Sequence, residues 1–551
     1  MTAIEAEVAG AGRSAVLDEA HVGDIRGALG TITLGDHGTR TTLSAKFKTL
    51  LAVVGPGLIV MVGDNDAGAF STYGQAGQVY GTKLLWTLLL LIPVLYVNQE
   101  MVLRLGAVTG VGHARLILSR FGKFWGTFEV IDLFLLNGLT IVTEFIGITL
   151  AAGYLGVPKV LAVLFAAGII IATVFTGSFR AFERIAMFFC VGSLLLVPLY
   201  LMAHPSVSTM ARGFTSPGLP GDAATGGMAA VMLLVIGIVG TTIAPWQLFF
   251  QQSYVIDKRI TPRFMKYEKA DLWIGIVIVV VGAAALMGTT AVAFAHSGVA
   301  FTDSAGLARG IAAYAGHVAG ALFAVALLDA AVIGAFAVSL SSAYAIGDVL
   351  GMKHSLHRGV GQAKGFYALY AALVGGAAVI VAIPGSPLGL ITEGVQVLAG
   401  VLLPAATVFL LMLCNDKAVL GPWVNTLKTN VFTGGVIAVL ITLSVVLTAS
   451  VMFPAITARG IFAIMGGCAV AAAAAGCFAV LLRRRAARHR AAAGRAVAPA
   501  DKLAWRMPPL SELPAPAITG ARRIGLIGLR AYLAVAMVMV IAKIVLLAIG
   551  N

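Results

Sequence analysis

The sequence predicts an all-α membrane protein built from two inverted repeats of five helices, followed by further C-terminal helices. Its 551 residues are 59% hydrophobic and only 11% charged, whereas soluble domains carry about 25% charged residues. Apolar segments of membrane-spanning length recur along the whole chain. The first and the sixth of these segments are each interrupted near the middle, which is the pattern that inverted repeats with a site at the membrane midplane produce.

Twelve apolar segments are long enough to cross a bilayer as helices, given a rise of about 1.5 Å per residue. They lie at residues 49–78, 82–103, 127–152, 160–178, 185–203, 229–255, 272–296, 318–347, 365–383, 391–414, 431–453 and 460–482. A thirteenth candidate, 528–549, contains Arg530 and Lys543, so a helix that lies on the membrane surface is the alternative to a span.

Lysine and arginine residues are distributed unequally between alternate connections. The N-terminal tail and one set of loops carry 31 of them, and the other set carries five. Because basic loops remain in the cytoplasm, we expect a multi-pass protein of the cell membrane with a cytoplasmic N-terminus. Residues 1–45 are of mixed polarity and lack a basic start followed at once by an apolar run, so we expect no signal peptide. The net charge of +14 does not indicate a nucleic-acid partner, since the basic residues are not clustered in one patch with aromatic residues between them.

These observations divide the chain into seven predicted parts. They are a cytoplasmic N-terminal tail (1–45), a first inverted repeat (46–203), an extracellular loop (204–228), a second inverted repeat (229–416), two further spans (417–482), a basic, Pro-rich cytoplasmic linker (483–524) and a C-terminal apolar helix (525–551). The linker combines basic and proline-rich runs, which favours a position near the anionic inner leaflet.

The first apolar segment contains Asp64, Asn65 and Asp66 near its middle. A charge at the centre of a bilayer costs about 3 kcal/mol, so an acid is tolerated there where it faces a cavity, a partner or an ion. Gly63 and Gly68 weaken the helix on either side of the acids. The segment therefore predicts a helix that is interrupted at an ion site. A buried aspartate satisfied by neighbouring helices is the alternative.

The sixth apolar segment contains Pro245 in mid-membrane, preceded by Gly237, Gly240 and Thr241. Proline removes one backbone hydrogen bond, and the carbonyl groups freed near Thr241 can point into a cavity. A simple kink is the alternative when this segment is considered alone. Together the two interrupted segments supply an acid and unwound carbonyl groups, which are what a bound cation requires.

These residues resemble the Nramp family of divalent metal transporters over residues 50–416. The matching runs are Asp66–Ala69 with Gln75–Gly77 in the first segment, Arg104–Gly110 after the second, Ala244–Trp246 with Gln251 in the sixth, and Gln396 in the tenth. The resemblance implies a LeuT-like fold. It also implies a metal site formed by Asp66, Ala69, Asn65, Thr241, Ala244 and Gln396.

The sequence departs from the family pattern at positions that bear on the choice of ion. Ala244 stands where the family has a methionine ligand, and Ala69 stands where it has an asparagine ligand. Both histidines of the sixth helix are replaced, by Trp246 and Gln251. In the third helix Glu144 remains, whereas the aspartate of proton-coupled members is absent.

The departures favour a hard ion that keeps part of its water shell. A thioether ligand selects transition metals, and Mg²⁺ binds through one or two carboxylates while retaining several waters. We therefore expect import of Mg²⁺, with Mn²⁺ as a further substrate, without proton coupling and without any cofactor. The alternatives are a proton-coupled transporter of Mn²⁺ or Fe²⁺ and an organic-solute transporter on the same scaffold.

Five further polar or aromatic residues within the segments are candidates for the ion pathway or its gates. They are Asp64, Glu144, Trp246, Gln251 and Asp329. Intramembrane acids mark ion pathways more often than acids elsewhere. The alternative for Asp64 is a cap of the broken half-helix, and the alternative for Glu144 is a structural hydrogen bond within the bundle.

Overall fold

The computed structural model describes residues 18–220, 227–295, 301–383, 388–453, 456–490, 502–503, 505–514 and 538. Within these ranges the secondary-structure elements are helices, apart from one short hairpin formed by β1 (Ile25–Arg26) and β2 (Thr31–Ile32), which pair antiparallel. The prediction of an all-α membrane fold is confirmed.

The helices follow one another with short connections. The first half contains α1 (Leu43–Val53), α2 (Pro56–Val62), α3 (Ala67–Tyr80), α4 (Trp86–Thr109), α5 (His113–Phe121), α6 (Lys123–Tyr154), α7 (Lys159–Val174), α8 (Phe179–Gly192), α9 (Leu196–Ala203) and α10 (Val207–Thr215). The second half contains α11 (Gly227–Thr242), α12 (Pro245–Asp257), α13 (Met265–Ala293), α14 (Ser304–Ala315), α15 (His317–Leu350), α16 (Lys364–Ala382), α17 (Leu388–Cys414), α18 (Lys417–Leu420), α19 (Leu427–Met452) and α20 (Ala458–Arg490).

Ten helical segments in the described part of the chain are long and apolar enough to cross a membrane when α8 is counted with α9 and α11 with α12. The number is eleven if α1 and α2 form one span. These two helices are bent by 53° relative to each other. In the predicted segment 160–178 the structure has α7, whose 16 residues are too few for it to be counted among these spans. The total of twelve spans therefore stays a prediction. The thirteenth candidate, 528–549, lies outside the described residues apart from Val538.

The core forms where long helices pack closely around the two broken crossings. Two of the longest described helices, α6 and α15, pack against each other, and α13 packs against both α2 and α3. Helix α11 packs against α17, where Gly240 lies directly against the carbonyl of Gln396 and the amide of Gly400. Small residues allow such close approach, which is what drives helix association when lipid is as apolar as the side chains.

Replacing Gly240 with Ala is expected to destabilise the protein by about 1–3 kcal/mol, because the new methyl group would overlap main-chain atoms of α17. Gly237→Ala on the same helix is the matched control, since a Cβ there would meet only Cγ2 of Thr72, at an ordinary 3.6 Å. Thermal unfolding of both variants in the same detergent measures the difference. Equal stability of the two variants would contradict this close packing.

The described part of the N-terminal tail folds against the helix ends. The guanidinium of Arg358 donates to Oδ1 of Asp18 through Nη2 at 2.6 Å and Nε at 3.0 Å. The carbonyl of Ala20 accepts from Nε and Nη2 of Arg259, at 2.9 and 2.7 Å. Charge-assisted hydrogen bonds of this kind fix geometry. The tail is therefore attached to the connections after α12 and after α15.

The described part of the predicted linker 483–524 also contacts the helix ends. Nε1 of Trp423 donates to the carbonyl of Lys502 at 2.9 Å, and Nη1 of Arg120 donates to the carbonyl of Pro514 at 2.7 Å. Helix α20 extends to residue 490, past the end predicted for the last of the twelve segments.

Candidate functional site

The first crossing is broken at residues 63–66, between α2 and α3. Asp66 has an extended backbone (φ −75°, ψ −173°), and its Oδ1 accepts a hydrogen bond at 2.8 Å from the amide of Ala69. The carboxylate caps the amino end of α3, where unpaired N–H groups and the helix dipole favour negative charge. Asp66 is 3% exposed. The predicted interruption is confirmed, and the acid is buried within the protein.

The sixth crossing is broken between α11 and α12. Ala244 has an extended backbone (φ −83°, ψ 145°), and Pro245 occupies the first position of α12, where its missing N–H breaks no helical hydrogen bond. The last carbonyl groups of a helix have no partner within it. One of them, the carbonyl of Thr242, lies 3.4 Å from Nε2 of Gln247. The predicted interruption of this helix is also confirmed.

A network of side-chain hydrogen bonds joins the two breaks. Nε2 of Gln247 donates to Oδ1 of Asp64, and Nε2 of Gln99 donates to Oε1 of Gln247 at 2.8 Å. Tyr73 on α3 shares a 2.7 Å hydrogen bond with the hydroxyl of Thr242 at the end of α11. Sequence reasoning missed Gln247. The sequence feature that could have identified it is a side-chain amide in the first turn of α12, opposite the acids of the first break.

Asp66 is surrounded by polar side chains from two other helices. The amide group of Gln396 on α17 lies directly against Gly68, next to Oδ1 of Asp66. Glu144 on α6 and Asp66 both lie against Gly334 of α15, and the first amide of α3 donates to Oε2 of Glu144 at 3.1 Å. The structure therefore brings together an aspartate, a glutamate and an amide that are far apart in the sequence.

The end of α11 lies beside the same group of side chains, because Gly240 contacts the main chain of Gln396. The neighbouring Thr241 is 2% exposed, and its hydroxyl has no hydrogen-bond partner among the described residues. Ala69 and Ala244 are also buried and contribute only methyl groups. Of the predicted metal ligands, Asp66, Gln396 and the end of α11 lie together. Their binding of an ion stays a prediction.

Two predicted residues point elsewhere. Nδ2 of Asn65 donates to the carbonyl of Val279 at 3.2 Å, so this side chain is directed at α13. Asp329 is half-buried, and its carboxylate lies against Gly192, at the contact between α15 and α8.

Two further candidates for gating lie on α12 and are fully buried. The indole ring of Trp246 approaches the Cβ position of Gly63 to 3.5 Å, and its Nε1 has no partner among the described residues. Neither amide atom of Gln251 has one there either. Unpaired buried polar atoms are costly, so they mark places where water or a substrate completes the hydrogen bonding.

In the described ranges, no three His, Cys, Asp or Glu side chains converge closely enough to form a metal cluster. The donors beside the two breaks are instead the carboxylate of Asp66 with that of Glu144 next to it, the side-chain amide of Gln396 and the carbonyl end of α11. Oxygen donors of this kind suit a hard cation that keeps part of its own water shell.

Comparison with known proteins gives consistent matches. Residues 57–450 match the family described as Nramp, natural resistance-associated macrophage protein-like. A protein named divalent metal cation transporter MntH from Pectobacterium carotovorum is 26% identical over 280 residues, which covers 48% of this chain and 64% of that protein. Its namesake from Burkholderia ambifaria is 28% identical over 309 residues, which covers 54% of this chain and 67% of that protein.

The chain thus spans about two thirds of the length of these curated relatives. Among solved structures, a manganese transporter of Eremococcus coleocola in complex with an aromatic bis-isothiourea compound superposes with a TM-score of 0.61. The sequence identity is 20%, and the match covers 82% of this chain and 99% of the other. At that identity the similarity concerns the fold.

Proposed function

This chain belongs to the Nramp family, and from this premise we propose that it is a secondary transporter that imports a divalent metal cation across the cell membrane. The main support is Asp66, a buried carboxylate at the break of the first crossing, beside Gln396 and the carbonyl end of α11. Divalent cations such as Mg²⁺ take oxygen ligands of this kind. The names of the curated relatives, which are divalent metal cation transporters, give further support.

We propose Mg²⁺ as the principal ion, with Mn²⁺ as a further substrate. The resemblance places Ala244 and Ala69 at two ligand positions, and a methyl group offers no electron pair to a metal. Without a thioether the site loses its preference for soft transition metals, and two small side chains leave room for metal-bound water. The support for Mg²⁺ therefore comes from the chemistry of the donor groups that remain at the site.

We further propose that import follows the gradient of the ion and the membrane potential. The N-terminus is cytoplasmic in this proposal, because the connections on its side carry the excess of basic residues. An inside-negative potential of 100 mV contributes about 2.3 kcal/mol for each charge. A divalent ion gains twice that amount, which is sufficient for uptake without a coupled proton.

Proton-coupled Mn²⁺ transport is the second candidate, and one observation favours it. Glu144 lies beside Asp66, against Gly334, and one of its carboxylate oxygens has no partner among the described residues. Two neighbouring buried acids can exchange a proton when one of them binds a cation.

Flux measurements in proteoliposomes distinguish the two candidates. Mg²⁺, Mn²⁺ and Ca²⁺ are offered outside in turn, and internal metal and internal pH are recorded together with two dyes. We expect Mg²⁺ entry without internal acidification, at a rate that rises when an inside-negative potential is imposed.

Acidification that follows metal entry would contradict the uncoupled mechanism and support proton coupling. Entry of Mn²⁺ with no entry of Mg²⁺ would contradict the proposed ion. Liposomes without protein serve as the control for leakage.

A further inference from the structure

A group of four charged residues lies at the bend between α1 and α2, apart from the break at Asp66. This hinge cluster consists of Glu183 on α8, Lys258 directly after α12, and Glu268 and Asp271 on α13. All four side chains are fully buried. Ionised groups that are buried in this way are costly unless each has partners, so their hydrogen bonds determine their charge.

Two members of the hinge cluster hold the backbone of the bend. Nζ of Lys258 donates to the carbonyl of Val54 at 2.7 Å. The carboxylate of Asp271 accepts from the amides of Gly57 and Leu58, at 2.6 and 3.3 Å. The cluster therefore contacts the start of α2 directly through main-chain hydrogen bonds.

The geometry of the bend leaves no room between backbone and cluster. Gly55 has φ +151°, a conformation that other residues rarely adopt. A Cβ atom at this position would lie 2.9 Å from Nζ of Lys258 and would overlap the carboxylate of Glu183. A movement of α2 must therefore change the surroundings of the charged groups.

Glu183 has a full set of partners. Its Oε1 accepts from Nζ of Lys258 at 2.6 Å and from the hydroxyl of Tyr254 at 3.3 Å. Its Oε2 accepts from the amide of Ala28 in the N-terminal tail, at 2.5 Å. These three donors, including one ammonium group, offset part of the cost of burying this carboxylate in its charged form.

Glu268 differs from the other members of the cluster. Neither of its carboxylate oxygens has a hydrogen-bond partner among the described residues. The charged groups that face it are Asp271 on its own helix, Lys258 and Glu183. Helix α2, which packs against α13, contributes no titratable side chain. With all four groups ionised, three negative charges would face one positive charge inside the protein.

We propose that Glu268 is a proton-binding site, protonated in the conformation described here and deprotonated when α2 moves away. A proton removes the charge that has no donor, whereas an ionised and unpaired buried carboxylate is strongly destabilising. A metal ion is the less suitable ligand, because no group of three acidic, His or Cys side chains in the described part of the chain converges to hold one.

Movement of α2 explains the release of the proton. When α2 leaves α13, Asp271 loses two amide donors, Lys258 loses the carbonyl of Val54, and water enters the cluster. The O–H bond of Glu268 then breaks, and the proton passes to water. Proton binding and the movement of α2 affect each other equally. Low pH therefore favours the conformation in which α2 packs against α13, and higher pH favours movement of α2 away from α13. This inference relies on the proposed function only in requiring that α2 moves.

Hydrogen–deuterium exchange of the full-length protein in lipid nanodiscs tests the proposal. Peptides covering residues 46–62 are followed between about pH 5.5 and 8, and each rate is divided by its intrinsic chemical rate. In the wild type we expect protection to fall as pH rises, by up to about tenfold per pH unit for one linked proton. In Glu268→Gln, which carries no titratable proton, we expect protection that does not change with pH.

Two variants make the result specific. Glu268→Asp keeps a titratable group and is expected to retain a pH response. Glu129→Gln removes another buried acid, one on α6 and away from the bend, and is expected to behave as the wild type does. A wild-type pH response in Glu268→Gln, or its loss in Glu129→Gln, would overturn the proposal.

A sodium series separates a proton from an alkali cation. If protection at high pH returns when choline chloride is replaced by sodium chloride, the site holds a metal cation and the proton assignment is wrong. Hydrogen–deuterium exchange measures movement of the bend and does not measure transport of ions. A chain that moves no divalent ion at all would therefore refute the proposed function while leaving this test intact.

Discussion

Replacing Asp66 with Asn is expected to reduce divalent-cation transport by at least about 100-fold while leaving the fold intact. Loss of a residue that only supports a metal ligand costs 10–100-fold in affinity or activity, and Asp66 is proposed to be a ligand itself. Asparagine caps helices about as well as aspartate does, so the hydrogen bond from the amide of Ala69 is retained. Initial rates of Mg²⁺ flux at low and saturating concentrations, together with the unfolding temperature, measure both effects.

Asp329→Asn is the matched control for this experiment. It removes a second acid from a membrane helix, but that acid lies at the contact of α15 with α8 and not at the break. We expect near wild-type flux in this variant. Wild-type flux in Asp66→Asn would exclude this carboxylate from the site, and an equal loss in both variants would show that the effect is not local.

Replacing Ala244 with Met is expected to increase the preference for Mn²⁺ over Mg²⁺ by about tenfold or more. The substitution adds a thioether at the break between α11 and α12, and soft sulfur ligands bind transition metals better than Mg²⁺. A gain of about 1.4 kcal/mol in relative affinity corresponds to this tenfold change. Competition between the two ions during uptake into proteoliposomes gives the ratio directly.

Ala244→Leu separates the sulfur atom from the added volume, because leucine and methionine have similar sizes. We expect no increase in Mn²⁺ preference in the leucine variant. An equal shift in both variants would mean that volume and not ligand chemistry sets the selectivity. It would also weaken the argument for Mg²⁺ that rests on the missing thioether.

The breaks in the two crossings could be predicted because their causes are local. Asp66 is a charge that a continuous membrane helix does not tolerate at mid-membrane, and Pro245 lacks the amide that a continuous helix requires. Gln396 was assigned by resemblance to the family and not by geometry. Its position beside Asp66 depends on how α17 packs, which no local pattern reveals.

The direction of side chains could not be predicted from their neighbours in the sequence. Asn65 and Asp66 are adjacent, but the break turns the first towards Val279 on α13 and the second towards Gln396. At a break the backbone leaves the helical path, so the helical periodicity that relates side-chain directions no longer applies. Gln247 was missed for the same reason.

The hinge cluster was missed because its residues lie at the ends of segments. Lys258 and Glu268 fall in a basic connection, and such charges usually face water. Their complete burial follows from tertiary packing of α13 against α2 and of the N-terminal tail against α8. Counting basic residues in connections assumes that these side chains are exposed to solvent, whereas in the fold they are buried.

The pairing of Asp18 with Arg358 affects how the chain is assembled during synthesis. The two residues are 340 positions apart, so the tail leaves the ribosome long before its partner exists. At about 5–20 residues per second this delay is roughly 20–70 seconds, during which most of the helices are inserted. Asp18 therefore waits for its partner through most of synthesis, and the pair can form only after the connection that follows α15 has been made.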